Sequence, residues 1–255
     1  MRIAVILKAV PDLVEEMELT SDGTDLDREY LKFVTNEWDE QALEEALLLK
    51  DSDGAEVVAV GMADDPDIEQ ALYSAVAKGA DRAVTIAGAT GVDTRSRAAA
   101  VAAWLKDNPA DLVLSGVQAP DDLDGQLPAA LGAALGLPHV SVVVSVALDG
   151  AAAIVRQEFS GGRAADLNVT LPAVLGIQVA RQAPRYAPVT RVRQVMQSTT
   201  IDEASVAVDE AAAGIRVRRM YPPEKTTHAE MIDGSPAEVA ARIVELLRSR
   251  SLVKG

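Results

Sequence analysis

The sequence predicts an α/β fold built on a mostly parallel, doubly wound sheet, with an antiparallel extension and a long C-terminal arm. Three observations carry that prediction. Short β-branched runs alternate four times with longer alanine-rich amphipathic runs, the pattern of parallel strands covered by helices on both faces. After Pro138 four closely spaced β-like runs follow instead, which read as antiparallel strands. Beyond Ala180 periodicity mostly fails for more than 50 residues. So long an irregular stretch is uncommon inside a compact domain, and it is expected to be disordered or draped over another chain.

The first strand is "RIAVIL", followed by "MELTSDGTDLD", where Asp22-Gly23 marks a turn and predicts a hairpin excursion. The helix "EWDEQALEEALLLK" comes next, then the pairs "EVVAVG" with "DIEQALYSAVAK", "RAVTIA" with "RSRAAAVAAWLKD", and "DLVLSG" with "QLPAALGAALG". In "KGADRAV", Gly79 is expected to end a helix ahead of the next strand, with Arg82 as a surface or subunit contact. The later runs "HVSVVVSVAL", "AAIVRQEF", "AADLNVT" and "PAVLGIQVA" are joined by "DGA" and "SGGR" turns, the last run returning to the sheet. "FSGGR" lacks the Asp-Ser and the strand-to-helix setting of a pyrophosphatase loop, and reads as a hairpin turn. One capped helix, "SPAEVAARIVELLRSR", is expected from Ser235.

Charge and composition exclude several function classes. The formal net charge is -15, which repels phosphate backbones and anionic lipid heads and argues against nucleic acid or a membrane as partner. Between Arg181 and Lys225, eight basic residues face five acidic ones, a local +3 that leaves -18 for the rest. There is no cysteine, and the two histidines, His139 and His228, are far apart. Disulfides, iron–sulfur clusters and thiolate metal sites are thereby excluded, and a zinc or Ser-His-Asp centre is not expected. Any redox role must use a bound organic cofactor. The start "MRIAVILKAVPD" is too short for a signal sequence, and no apolar run approaches the roughly 20 residues of a membrane span. A cytoplasmic protein is expected.

Ligands of parallel sheets sit at the carboxyl ends of strands. In "GVQAPDDLDGQLPAALG", Gly116 permits close backbone approach and Gln126 begins a helix whose N–H groups could hold an anion. The same stretch also reads as a solvated acidic loop, with Pro128 an ordinary first-turn residue. Its glycine spacing matches neither a dinucleotide fingerprint nor a Walker loop. In "NEWDEQALEEALLLK", Asn36 suits a helix cap with Asp39 at the third helical position. Trp38 at the helix mouth suits either a staple or a stacking surface for a flat ring. Glu15, Glu16, Glu44 and Glu45 lie in charged runs and are expected on a solvated face.

Taken in order and over nearly the full length, "NEWDEQALEEALLLK", "AKGADRAV", "DLVLSGVQAPDD" and "LPAVLGIQVARQAPRYAPV" resemble the β subunit of electron transfer flavoproteins. The tail "RVRRMYPPEK" is similar to the bacterial branch serving trimethylamine-type dehydrogenases. The resemblance implies a Rossmann-like, adenine-nucleotide-binding core over residues 1–180. Residues 181–255 would then supply a recognition loop and an arm wrapping an α subunit that carries the redox FAD. It implies a structural AMP held at Ile6, at Asn36, Glu37, Trp38 and Asp39, at Met62, and at Gly116, Gln118, Ala119, Asp121, Asp124, Gly125, Gln126 and Leu127. Trp38 would stand near the partner's FAD. Arg185, Tyr186, Val189 and Arg191 would dock a primary flavoprotein dehydrogenase, with Val189 at the tip where leucine is usual. No catalytic residue and no metal site are implied.

Two departures bear on the nucleotide. Ile6 stands where alanine is usual, and Leu127-Pro128 stands where a threonine and a glycine follow the glutamine. This removes a hydroxyl donor and a backbone N–H from the anion-binding turn. Electron-bifurcating relatives hold a second FAD in this pocket and also carry an aliphatic residue there, which makes that the alternative. Readings of other classes are a stand-alone nucleotide hydrolase or adenylating enzyme, which would release product nucleotide, and a nucleotide sensor, which would form a homodimer without flavin.

Overall fold

Side-chain alternation along β1 (Arg2–Ile6) divides the core in two. Ile3 and Val5 pack into one apolar cluster, Ala4 and Ile6 into another, as a central strand between two helix layers requires. The first cluster takes its helical side from α1 (Glu37–Asp53) and α2 (Ile68–Lys78), the second from α3 (Thr94–Asp107) and α4 (Leu127–Leu135). The computed structural model describes residues 1–29, 31–88, 93–122, 125–207, 217–222 and 231–253.

With β4 (Glu56–Met62), β5 (Arg82–Ala87), β6 (Leu112–Gly116), β7 (His139–Asp149), β8 (Ala152–Phe159), β9 (Arg163–Thr170), β10 (Ala173–Ile177) and β11 (Asp202–Ser205), β1 forms a nine-stranded sheet. Its order is β11-β5-β4-β1-β6-β10-β7-β8-β9. Every pair from β11 to β7 is parallel, and β7-β8-β9 is antiparallel. The expected α/β fold, its antiparallel extension and the return of "PAVLGIQVA" to the sheet are all present. β10 sits between β6 and β7, and a register shift opposite Leu175 and Ile177 accompanies Val142 at φ 61°. From β1 the chain winds outward through β4 and β5, then crosses by α3 to β6 on the other side. β1 and β6 therefore flank the point where the winding reverses, where the strand ends leave a crevice.

The excursion after β1 contains β2 (Ala9–Pro11), paired antiparallel with β3 (Phe33–Thr35). The expected turn closes through Gly23 N–H to Thr20 O, 2.8 Å, with a bridge between Leu19 and Leu26. Gly79 caps α2 as expected, and Arg82 meets Asp202 of β11 at 2.6 Å.

Contacts divide the chain into Met1–Arg219 and Met220–Gly255, so the expected boundary after Ala180 falls inside the first unit. There, α5 (Val189–Ser198) packs on α2 through Val192, and β11 extends the sheet. Periodicity alone reads both as irregular chain. In the second unit α6 (Pro236–Ser249) begins as expected, with a capping box between Ser235 and Glu238. None of its side chains is buried, and Ile243 and Val244 are exposed. Among the described residues no helix is long and apolar enough to cross a membrane.

The α2 layer seats against β4 through a residue with no side chain. A Cβ on Gly61 would run into Ile68 Cγ1 and lie 2.8 Å from its Cδ1. Gly61→Ala is expected to cost roughly 1–3 kcal/mol by overpacking. Urea unfolding of Gly61→Ala, Ile68→Ala and the double variant checks the cause: the double should cost less than the two singles together. Additive costs would place the strain elsewhere.

Candidate functional site

A cleft opens at the carboxyl ends of β1 and β6. Beyond β1 the chain passes through Leu7 and Lys8, and β6 ends at Gly116. The first turn of α1 closes onto both, because the Asp39 carboxylate accepts the Lys8 backbone N–H at 2.9 Å and the Gly116 N–H at 2.7 Å. This approach needs a glycine: a Cβ on residue 116 would lie 2.6 Å from Trp38 Cβ and 2.7 Å from Asp39 Oδ1. The close approach expected of Gly116 is thus made by protein.

Asn36 precedes α1 as its N-cap, yet its side chain makes no capping hydrogen bond. Its amide reaches across the cleft and donates to Gln118 O at 2.9 Å. Asn36 Oδ1 is buried and, among the described residues, has no hydrogen-bond partner. A buried acceptor without a donor is costly and marks a place where a ligand N–H or O–H can be received.

The far wall is the loop after β6. Ala119 and Asp122 exchange backbone hydrogen bonds, 2.9 and 3.2 Å, and the Asp122 carboxylate accepts from the Thr94 hydroxyl at the start of α3. Gly125 has φ 61°, and a Cβ there would meet Val117 O at 2.6 Å. α4 then starts at Leu127 with its N-terminus on the cleft. Pro128 lies in its first turn as expected, contributing no N–H to this positive end of the helix.

Two cations line the cleft. Lys8 Nζ meets the Asp121 carboxylate at 2.6 Å across the rim. Arg97, on α3, is buried and bidentate to Asp65, both bonds 2.7 Å. Burial pushes the Asp39 carboxyl up to about 7, opposed by the Gly116 N–H, the Asn36 amide, the Lys8 N–H and the Arg97 charge.

Asn36, Asp39, Gly116, Gln118, Ala119, Gly125 and Leu127 from the expected set therefore line a single cleft, about 340 Å³ out to its open mouth. Gln126 is the N-cap of α4, and Asp121 forms the rim with Lys8. Ile6 and Met62 are buried in the apolar layer beneath, Trp38 is half-buried beside Gly116, and Glu37 is exposed. Asp124 lies outside the described residues. Residue-type reasoning missed Lys8, Thr94, Arg97, Val117 and Asp122 as lining groups. Val117 directly follows β6 and Lys8 lies two residues beyond β1, so the strand-end rule could have found them. Thr94 and Arg97 follow β5 on α3, and only the crossover brings them here.

The charged runs divide. Glu15 and Glu16 are exposed as expected, but Glu44 and Glu45 are buried, 3% and 0% exposed, which corrects their expected solvated face. They accept from the segment that follows β10. Arg181 donates to Glu45 through its backbone N–H, 3.0 Å, and Nε, 2.8 Å; Arg185 donates to Glu44 through its N–H, Nε and Nη2, 2.8 to 3.1 Å. Arg191 Nε bonds Ala77 O at 2.7 Å. Of the expected docking set, Tyr186 and Val189 stand outward, 80% and 59% exposed, while Arg185 and Arg191 are engaged within the chain.

Residues 24–213 match a family model described as the electron transfer flavoprotein domain. The chain is 34% identical to the electron transfer flavoprotein subunit beta of Methylophilus methylotrophus, covering 97% of this chain and 98% of the relative. It is 32% identical to the subunit beta of Clostridium acetobutylicum, over 99% and 100%. It is 30% identical to the caffeyl-CoA reductase-Etf complex subunit CarD of Acetobacterium woodii, again over 99% and 100%.

The raised Asp39 carboxyl sets a pH dependence. The folded chain holds this proton up to about 7, whereas an unfolded aspartate loses it near ~3.9. Between those values the native state binds more protons, so the stability from this group, present below the lower value, falls as pH rises through about 7. The span corresponds to ~4 kcal/mol at most. Urea midpoints of wild type and Asp39→Asn across this range should show a downward slope with pH in wild type that is reduced in the variant. Parallel curves would assign the slope to other groups.

Proposed function

The chain belongs to the electron transfer flavoprotein family, and on that premise we propose that it is a β subunit holding a structural AMP in the β1–β6 cleft. It pairs with an FAD-carrying α subunit and passes electrons from a primary flavoprotein dehydrogenase to a downstream acceptor in the cytoplasm. The observation that carries the nucleotide part is Asn36 Oδ1, buried and unpartnered at the cleft. It suits an amino or hydroxyl donor, as on adenine or ribose. The N-terminus of α4, with Lys8 and Arg97 nearby, suits the phosphate. FAD bound to the α subunit would supply the one- and two-electron steps. The chain itself would contribute Trp38 at the mouth of α1, the nucleotide cleft, and the outward Tyr186 and Val189 for docking. The uncovered apolar residues of α6 suit contact with the α subunit. In this reading the chain is an electron-carrier subunit and not an enzyme.

A second reading places another FAD in the same cleft. Leu127 favours it, since an aliphatic side chain there offers a phosphate no hydroxyl.

The test is coexpression with an α-type subunit, followed by release and counting of nucleotides from the purified heterodimer. One FAD and one AMP are expected; two FAD and no AMP would replace the first reading with the second. Asn36→Leu should lower AMP content at least fivefold while FAD stays. Val189→Ala removes two methyl groups from the docking tip, worth ~1.6 kcal/mol. The apparent KM for the heterodimer in electron transfer from the dehydrogenase should rise about tenfold, with nucleotide content unchanged. Loss of nucleotide instead would make this segment structural.

A further inference from the structure

We propose that Glu44 and Glu45 are positioning residues that hold the Tyr186–Val189 tip in its docking geometry, a role resting on the assignment of that tip as the dehydrogenase contact. Gln41, Glu44 and Glu45 are three and four residues apart, which places them on one face of α1. Each receives a backbone N–H of the segment after β10. Gln41 accepts from Ala180 at 3.0 Å, Glu45 from Arg181 at 3.0 Å, and Glu44 from Arg185 at 2.8 Å. Both glutamates also take the guanidinium of the residue whose backbone they hold.

The geometry is that of a clamp. The carboxylates are buried while the arginine side chains are 31% and 36% exposed, so the fixed partner is the helix and the held partner is the segment. Residues 181–183 and Tyr186 are exposed, leaving little apolar burial to order this chain from within. Charge-assisted bonds supply that order. Tyr186 stands directly after the last clamped residue. Ala187, next in sequence, is buried with Ala77 and Val192 in the small cluster between α2 and α5. The tip is thus held by ion pairs before it, by the buried Ala187 within it and by Val192 after it. A tip ordered in advance does not lose that conformational freedom on binding. Because the start of α1 also carries Asn36 as N-cap and Asp39 in its first turn, the same rigid helix sets the tip's distance from the cleft.

Glu44 is the residue to test, since Glu45 also accepts the Val146 N–H at 3.0 Å and its loss would disturb β7. The experiment uses the heterodimer coexpressed with an α-type subunit, as wild type, Glu44→Gln, Arg185→Gln and the double variant. Hydrogen exchange is measured over residues 180–189. Electron transfer is measured from trimethylamine dehydrogenase reduced with trimethylamine. Glu44→Gln should speed exchange at residues 185–189 at least tenfold and raise the apparent KM for the heterodimer about fivefold. Its kcat should stay within twofold and its nucleotide content unchanged. The double variant should be no worse than Arg185→Gln alone. Unchanged exchange, or a fall in kcat accompanied by nucleotide loss, overturns the proposal. Faster exchange with unchanged KM also overturns it, because the clamp would then serve folding only. If wild type takes no electrons from this dehydrogenase, the donor is another one, and the exchange measurements still decide whether Glu44 orders the tip.

Discussion

Asp39 ties together the three elements that make the cleft. Its two carboxylate oxygens take one N–H from the chain leaving β1 and one from the end of β6, two strands adjacent in the sheet but separated by two βα units in sequence. Those groups lie where the ladder ends and would otherwise need water. By accepting both, the side chain draws the first turn of α1 down onto Gly116, which only a residue without a Cβ permits. Asn36, one turn earlier, is then placed to reach Gln118. The interaction buries a carboxyl whose ionisation becomes harder as a result, and the hydrogen bonds and the Arg97 charge offset part of that cost.

The same helix uses acids along its length. Asp39 receives strand-end amides, and Glu44 and Glu45 receive the segment after β10, all three buried in a chain whose net charge is -15. Buried carboxylates persist when hydrogen-bonded and paired. Here each finds partners from regions 31 to 141 residues away. α1 therefore connects the nucleotide cleft proposed at one end with the docking tip proposed at the other. Its apolar residues, Ala42, Leu43, Ala46, Leu47 and Leu49, hold it against the sheet.

The alternating strands and helices were legible because each repeats over enough residues to show its period: β1, β4 to β6, α1 to α4, the β8–β9 hairpin at Gly161-Gly162 and the capped α6 follow from local pattern, whereas β2 and β3, three residues each, are too short to show one. α5 was not, because "VTRVRQVMQS" is short, rich in β-branched residues and arginine, and preceded by Pro188. It is helical where Val192 finds the cluster with Ala77. β11, "DEAS", has no strand pattern, and it exists through its ladder with β5 and the Arg82–Asp202 pair. Glu15-Glu16 and Glu44-Glu45 look alike in sequence, yet among the described residues only the second pair is bonded to arginines.

The sequence by itself determined the α/β class, the placement of its main elements, and the strand ends at which a ligand would sit. Period, glycine position and helix caps act over a few residues, and a local pattern records them. The tertiary structure alone decided which polar groups meet: Asp39 with Lys8 and Gly116, Thr94 with Asp122, Arg97 with Asp65, and Arg185 with Glu44. Hydrogen bonds and ion pairs require atoms within about 3 Å. Across separations of up to 141 residues, the crossovers and strand order bring such atoms together, and no local pattern encodes that proximity.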